Sequence, residues 1–227
     1  MTTGREVSDE PAWRARTRGE SRWAASSALI VAAAAQAALP TDYPSVLRWG
    51  SPVLIAVLLV ISLVVNPNRI DAHSTTFRAL SLATLAALAL VNAVTLAIMI
   101  DRLVEGIDVA AGPLLRAGLA VWITNTIVFG LAYWEFDRGG PGRRSEGIAE
   151  YPDFSFPQMQ DPDLAPKDWE PEFVDYLYVS FTNATAFSPT DTMPMTRWAK
   201  LMMLVQSVIS LLTVALVIAR AVNVFGR

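Results

Sequence analysis

The sequence predicts an all-α membrane fold, a polytopic helical bundle with five transmembrane helices plus a pore-loop-like or short sixth helix. Three observations carry that expectation. Apolar residues make up 53% of the chain and Asp, Glu, Lys and Arg 17%, and the charges fall almost entirely outside a few long apolar runs. Five of these runs approach or exceed the ~20 residues a helix needs to cross a bilayer. A sixth, Phe173 to Phe187, is too short to cross comfortably and is tied to the last run by the turn-rich hinge Ser188 to Pro194. The 227 residues fit one membrane domain, because little polar sequence remains to coat a soluble core of that size.

Residues 1–21 mix Arg5, Arg14, Arg16 and Arg18 with Glu6, Asp9, Glu10 and Glu20 and offer little to pack, so they read as a mobile polar tail. The region 22–136 reads as a four-helix membrane domain. Its first run, Trp23 to Leu39, stops at Pro40, and the second, Trp49 to Val65, stops at Asn66-Pro67-Asn68. The third, Phe77 to Ile100, ends at Asp101-Arg102. The fourth, Pro113 to Trp134, opens with a helix-compatible proline and closes with Glu135, Asp137 and Gly139-Gly140. Residues 137–172 form a long acidic loop rich in Pro and Gly. Its aromatic-proline pairs, Tyr151-Pro152 and Phe156-Pro157, fit either a folded cover on the membrane domain or an interfacial aromatic belt. Residues 173–227 hold the short segment and the final helix, Trp198 to Phe225. At 1.5 Å per residue that helix is roughly 42 Å long, enough to tilt or protrude.

Lys and Arg favour the N-terminal tail and the Asn66 to Thr76 turn over the Pro40 to Leu47 turn, which places the N-terminus in the cytoplasm of a multi-pass protein of a bacterial inner membrane. Alternatively, the first run is a secretory signal with Ala35-Gln36-Ala37 as its cleavage site. After four spans the short segment would face inward if it re-enters the bilayer; if it crosses, both termini lie inside.

Several function classes lose support. The net charge of −3 and the lack of a basic stripe argue against nucleic-acid binding. With no cysteine there is neither a disulfide framework nor a thiolate metal site. His73, the single histidine, sits in a polar turn, and the acidic cluster from Asp161 to Asp175 lacks the spacing of a calcium loop. No Gly-rich phosphate cradle, nucleophile elbow or His-Glu metal motif occurs, so neither an enzyme nor a cofactor is expected.

The informative polar residues lie elsewhere. Non-helical backbone at membrane depth survives only where protein or a water-filled cavity satisfies it, so a short segment that enters and leaves by one face suggests a pore. Asn92, Asn125, Gln206, Ser207, Ser210, Thr213 and Asn223 fall inside the spans, and Gln206, Ser210 and Thr213 share one helical face, as cavity-lining residues or as interhelical hydrogen-bond partners.

The stretch Tyr176-Leu-Tyr-Val-Ser-Phe-Thr182, followed by Thr185, by Asp191-Thr-Met-Pro194-Met-Thr196 and by Arg197 to Arg220, resembles the pore helix, filter and inner helix of two-transmembrane potassium-channel pore domains. The overall layout is also similar to an uncharacterised bacterial polytopic membrane family, whose members carry a Tyr-x-x-Phe-Thr segment. The channel resemblance covers about 50 residues and implies a homo-oligomeric ion channel-like protein in the lipid bilayer. It breaks at the filter. Potassium filters use glycines for dihedrals other residues avoid, whereas Phe187 and Pro189 stand here, which argues against potassium selectivity. A less selective path would be lined by Thr182, Asn183, Thr185, Phe187, Ser188 and Thr190, with Asp191 as a cation-attracting ring. The competing reading makes Ser188 and Thr190 a turn and helix cap, and makes the protein a non-conducting scaffold or accessory subunit that binds a partner protein through residues 138–172. A lipid-modifying enzyme is a third reading.

Overall fold

The computed structural model describes residues 11–65, 69–70, 75–105, 110–148, 151–161, 163, 165–188 and 191–225. Among the described residues helix accounts for 74% and strand for 3%, so the strands act only as clips on an all-α body. The helices are α1 (Trp23–Ala37), α2 (Ser51–Val65), α3 (Thr75–Val104), α4 (Ala111–Phe136), α5 (Pro141–Ser145), α6 (Pro157–Gln160), α7 (Phe173–Ala186) and α8 (Arg197–Phe225). The antiparallel clip β1 (Glu20–Ser21) to β2 (Arg69–Ile70) sets Glu20 opposite Ile70. The clip β3 (Phe154–Ser155) to β4 (Met193–Pro194) sets Phe154 opposite Pro194.

α4 is the hub and packs against α1, α3, α7 and α8. Of its apolar window 72% is buried, against 33% for α3 and 22% for α8, so those two show most of their apolar surface to the outside. Small residues let its neighbours approach. A Cβ added at Gly118 would lie 2.5 Å from Val217 of α8, and one at Gly130 would lie 3.2 Å from the Leu177 Cα of α7.

Among the described residues three helices, α3, α4 and α8, are long and apolar enough to cross a membrane, rather than the five expected. α1 and α2 have 15 residues each, roughly 22 Å against a hydrocarbon core of ~30 Å. The cause is local. α1 ends three residues before Pro40, and α2 is preceded by a wider π-turn at Val46–Gly50 instead of starting at Trp49.

The mobile tail expected over residues 1–21 is also corrected where it is described. Trp13 is buried with the Arg138 guanidinium 5.7 Å over its ring, the Thr17 N–H donates to the Ser145 carbonyl at 2.9 Å, and β1 is paired. The sequence hides this because the partners of Trp13 and Thr17 lie more than 120 residues away. Of the two readings of residues 138–172, the folded cover describes the structure. Phe154 and Phe156 are buried and meet Tyr133, Tyr176, Trp169 and Trp198 through ring contacts of 5.0–6.2 Å. The described residues of 11–22 and 137–172 thus close one end of the bundle, called here the covered end.

Candidate functional site: a half-length hairpin on a buried polar seam

The covered end is organised by Asp137, which follows α4 directly. Its Oδ1 accepts the Asp153 and Phe154 N–H groups at 2.8 and 3.3 Å, and its Oδ2 accepts the Tyr176 hydroxyl at 2.6 Å and Arg138 Nε at 3.3 Å. Asp153 in turn accepts the Arg138 N–H and Trp198 Nε1, each at 2.8 Å. One carboxylate pair therefore fixes the starts of α7 and α8 beside the end of α4. The chain can double back so tightly because Gly140 holds φ 100°, where a Cβ would lie 2.9 Å from the Glu135 carbonyl. Glu20 completes the knot: it accepts Trp134 Nε1 at 2.6 Å and the first N–H of α7, on Phe173, with Arg144 4.0 Å away.

From this knot α7 runs down the bundle for 14 residues, roughly 21 Å. Tyr176 shares a level with Trp198 through Phe154, and Asn183 lies level with Met203 and Gln206, so α7 and α8 are parallel. The chain then climbs back. By β4 it is paired with β3, and the Met195 N–H donates to the Asp153 carbonyl at 2.8 Å. The described residues of 173–196 therefore begin and finish at the covered end. Phe187 makes the reversal with φ 55° and ψ 26°, a left-handed cap that usually falls to glycine.

Between α4, α7 and α8 lies a buried seam of amides and hydroxyls. Gln206 Oε1 accepts the Tyr133 hydroxyl at 2.6 Å and Asn183 Nδ2 at 2.8 Å, while its Nε2 donates to the Ser180 carbonyl and hydroxyl at 2.9 and 2.6 Å. All four hydrogen-bonding positions of this one amide are used. Asn183 Nδ2 also reaches the Met203 carbonyl, Ser180 Oγ donates to the Thr126 carbonyl, and Asn125 Nδ2 donates to Ser210 Oγ at 2.9 Å.

The residues expected to line a path divide into two groups. Asn183, Gln206 and Ser210 come together in the seam, at 0–2% exposure, as interhelical partners rather than the wall of a wet cavity. Thr213 is buried and bonds back to the Ile209 carbonyl of its own helix. Thr182, half-buried, bonds back to Tyr178 and Val179, and Thr185, exposed, to Phe181. Thr185, Phe187 and Ser188 lie exposed at the tip of the hairpin, and Asp191 is exposed two residues before β4. Thr190 and His73 fall outside the described residues. Among the described residues no group of three acidic or histidine side chains is placed to hold a metal. Sequence reasoning missed Tyr133, Ser180, Asp137 and Arg138. The repeat Tyr176, Ser180, Asn183 on one face of α7 was the available signal, since three polar groups at helical spacing need a polar partner stripe.

No family model, curated protein or solved structure matches this chain.

Proposed function

We propose that this chain is an ion channel-like integral membrane protein that works as a homo-oligomer and passes ions or small solutes without potassium selectivity. The observation that carries the reading is the half-length hairpin. α7 stops partway down the bundle, its last carbonyls and the negative end of its dipole face the tip, and Thr185 and Ser188 are exposed there. Left in lipid, such a tip would be costly; gathered around an axis with sister copies, it forms a polar, cation-attracting constriction. In this reading α1 and α2 act as additional short spans beside α3, α4 and α8, accommodated by local thinning of the bilayer. Arg14, Arg16, Arg18, Arg143 and Arg144 collect at the covered end, which supports a cytoplasmic N-terminus and a hairpin entering from the cytoplasmic side.

Cation and anion flux into liposomes holding the purified protein tests the proposal. Flux above that of empty vesicles is expected, and Asp191→Asn should lower cation conductance severalfold while leaving the oligomer intact. The scaffold reading is favoured by one observation, the closed seam around Gln206, with the cover and its exposed Tyr151 and Ile148 as the partner surface. No flux from an intact oligomer under any gradient would select it.

A further inference from the structure

We infer that Arg14, Arg16, Arg18 and Arg143 form a docking surface for the phosphodiester headgroups of anionic phospholipids at the covered end. The first three alternate with Ala15 and Thr17, and the arginines are exposed while the residues between them are half-buried. That is the period of an extended chain with one face turned outward. Two contacts hold this strap in place. The Thr17 N–H donates to the Ser145 carbonyl at 2.9 Å, and Gly147, at φ 66°, lies so close that a Cβ there would be 2.5 Å from the Arg14 carbonyl oxygen. The first contact ties the strap to α5, which carries the exposed Arg143, so all four arginines belong to one ordered patch. Among the described residues none of the four is paired with a carboxylate. Arg14 lies over the Trp13 ring at 4.7 Å, a contact that uses the face of the guanidinium and not its N–H donors. The buried Arg138 and Arg144 differ: they donate to the carbonyls of Trp13, Trp134 and Asp137 and hold the fold.

The inference rests on the membrane reading and needs no conduction at the α7 tip. Glu20, two residues after Arg18, accepts Trp134 Nε1 near the end of α4, and α1 starts three residues later with Trp23 exposed. The strap therefore sits where the apolar helices begin, at the depth of headgroups and of interfacial tryptophan. Ile148, next to Gly147, and Tyr151 are exposed as well and add apolar area at that level. Phosphate oxygens suit the donor fork of arginine, and a basic cluster just before a membrane helix attracts anionic lipid. The exposed Asp161, Asp163 and Asp168 of a second copy offer a rival counter-charge, but they would leave Trp23, Ile148 and Tyr151 uncovered. A lipid surface answers the charge and the apolar side chains together.

Native mass spectrometry of the full chain in mild detergent, offered equal amounts of phosphatidylglycerol and phosphatidylcholine, tests the inference. The parent should retain phosphatidylglycerol more than tenfold over phosphatidylcholine. Each arginine near the surface counts roughly fivefold, so Arg16→Gln should cut the preference about fivefold, and the triple change Arg14→Gln, Arg16→Gln, Arg18→Gln should bring it close to parity. Gly147→Val keeps every charge but displaces the strap, and should lower the preference several-fold. Equal retention of the two lipids by the parent overturns the inference, as does an undiminished preference in a triple variant that melts like the parent. Retention of neither lipid removes the membrane reading and the docking surface with it. Glycerol phosphate that competes as well as the whole lipid assigns the patch to a soluble anion, and dimers lost in the triple variant with lipid preference intact assign it to a second copy; either result also overturns it.

Discussion

Phe187 carries a backbone conformation that costs an L-residue with a Cβ about 1–2 kcal/mol, and its ring is 43% exposed, so little apolar burial offsets that cost. Phe187→Gly is expected to hold or raise thermal stability by up to ~1 kcal/mol, and Phe187→Val to lower it by about 1–2 kcal/mol, because a β-branched residue tolerates φ > 0 least. Melting of the two variants checks the pair; equal destabilisation would mean that the ring, not the dihedral, matters. Gln206 is the opposite case, a residue whose value lies in its partners. Gln206→Leu strands the Tyr133 hydroxyl and one N–H of Asn183, and should destabilise by about 1–3 kcal/mol. A double-mutant cycle with Tyr133→Phe is expected to return a coupling of about 0.6–1.7 kcal/mol. Additive effects would remove the bond from the account of the seam.

At the scale of elements, α7 is held by two different means. Its start is tied electrostatically to Glu20 and Asp137, while its middle lies against α4 through the missing side chain of Gly130. Gly130→Leu should push α7 outward without touching the knot. Amide exchange of 173–186 is then expected to rise more than tenfold, with that of α3 unchanged. Equal protection in parent and variant would show that α7 is not seated by this contact. The pairing of β3 with β4 complements these ties, because it returns the chain to the covered end, so that α8 begins level with α7 and runs parallel to it.

For the whole molecule, the covered end couples the segment before α1, the 137–172 cover, α7 and α8, and Glu20 sits where they meet. Burial pushes its carboxyl up to about 7 from the usual 4.5, against the downward pull of the Phe173 N–H, Trp134 and Arg144. The folded state thus keeps a proton that the unfolded chain releases between those values. Stability should therefore fall as pH rises from 4.5 to about 7, by up to about 3 kcal/mol, and level off above it. Glu20→Gln should make this fall shallower; a variant profile as steep as the parent's would refute the assignment.

Apolar runs bounded by Pro, Asn-Pro and Gly-Gly determined that the chain is a helical bundle, and polar residues at spacings of three and four marked the seam on α8. Those signals are local, because helix periodicity and turn chemistry act within a few residues. The sequence also suggested a short segment that turns back, from its length alone. Its return path, the burial of Trp13 and the knot joining Glu20, Asp137 and Tyr176 were decided by tertiary structure. Each depends on pairings across 39 to 153 residues, which no local pattern encodes. The shortening of α1 and α2 below the span length belongs to the same class, since it rests on how the 38–50 turn winds against the ends of α3 and α4, where Leu39, Tyr43 and Leu47 bury themselves with Leu96, Met99 and Leu114.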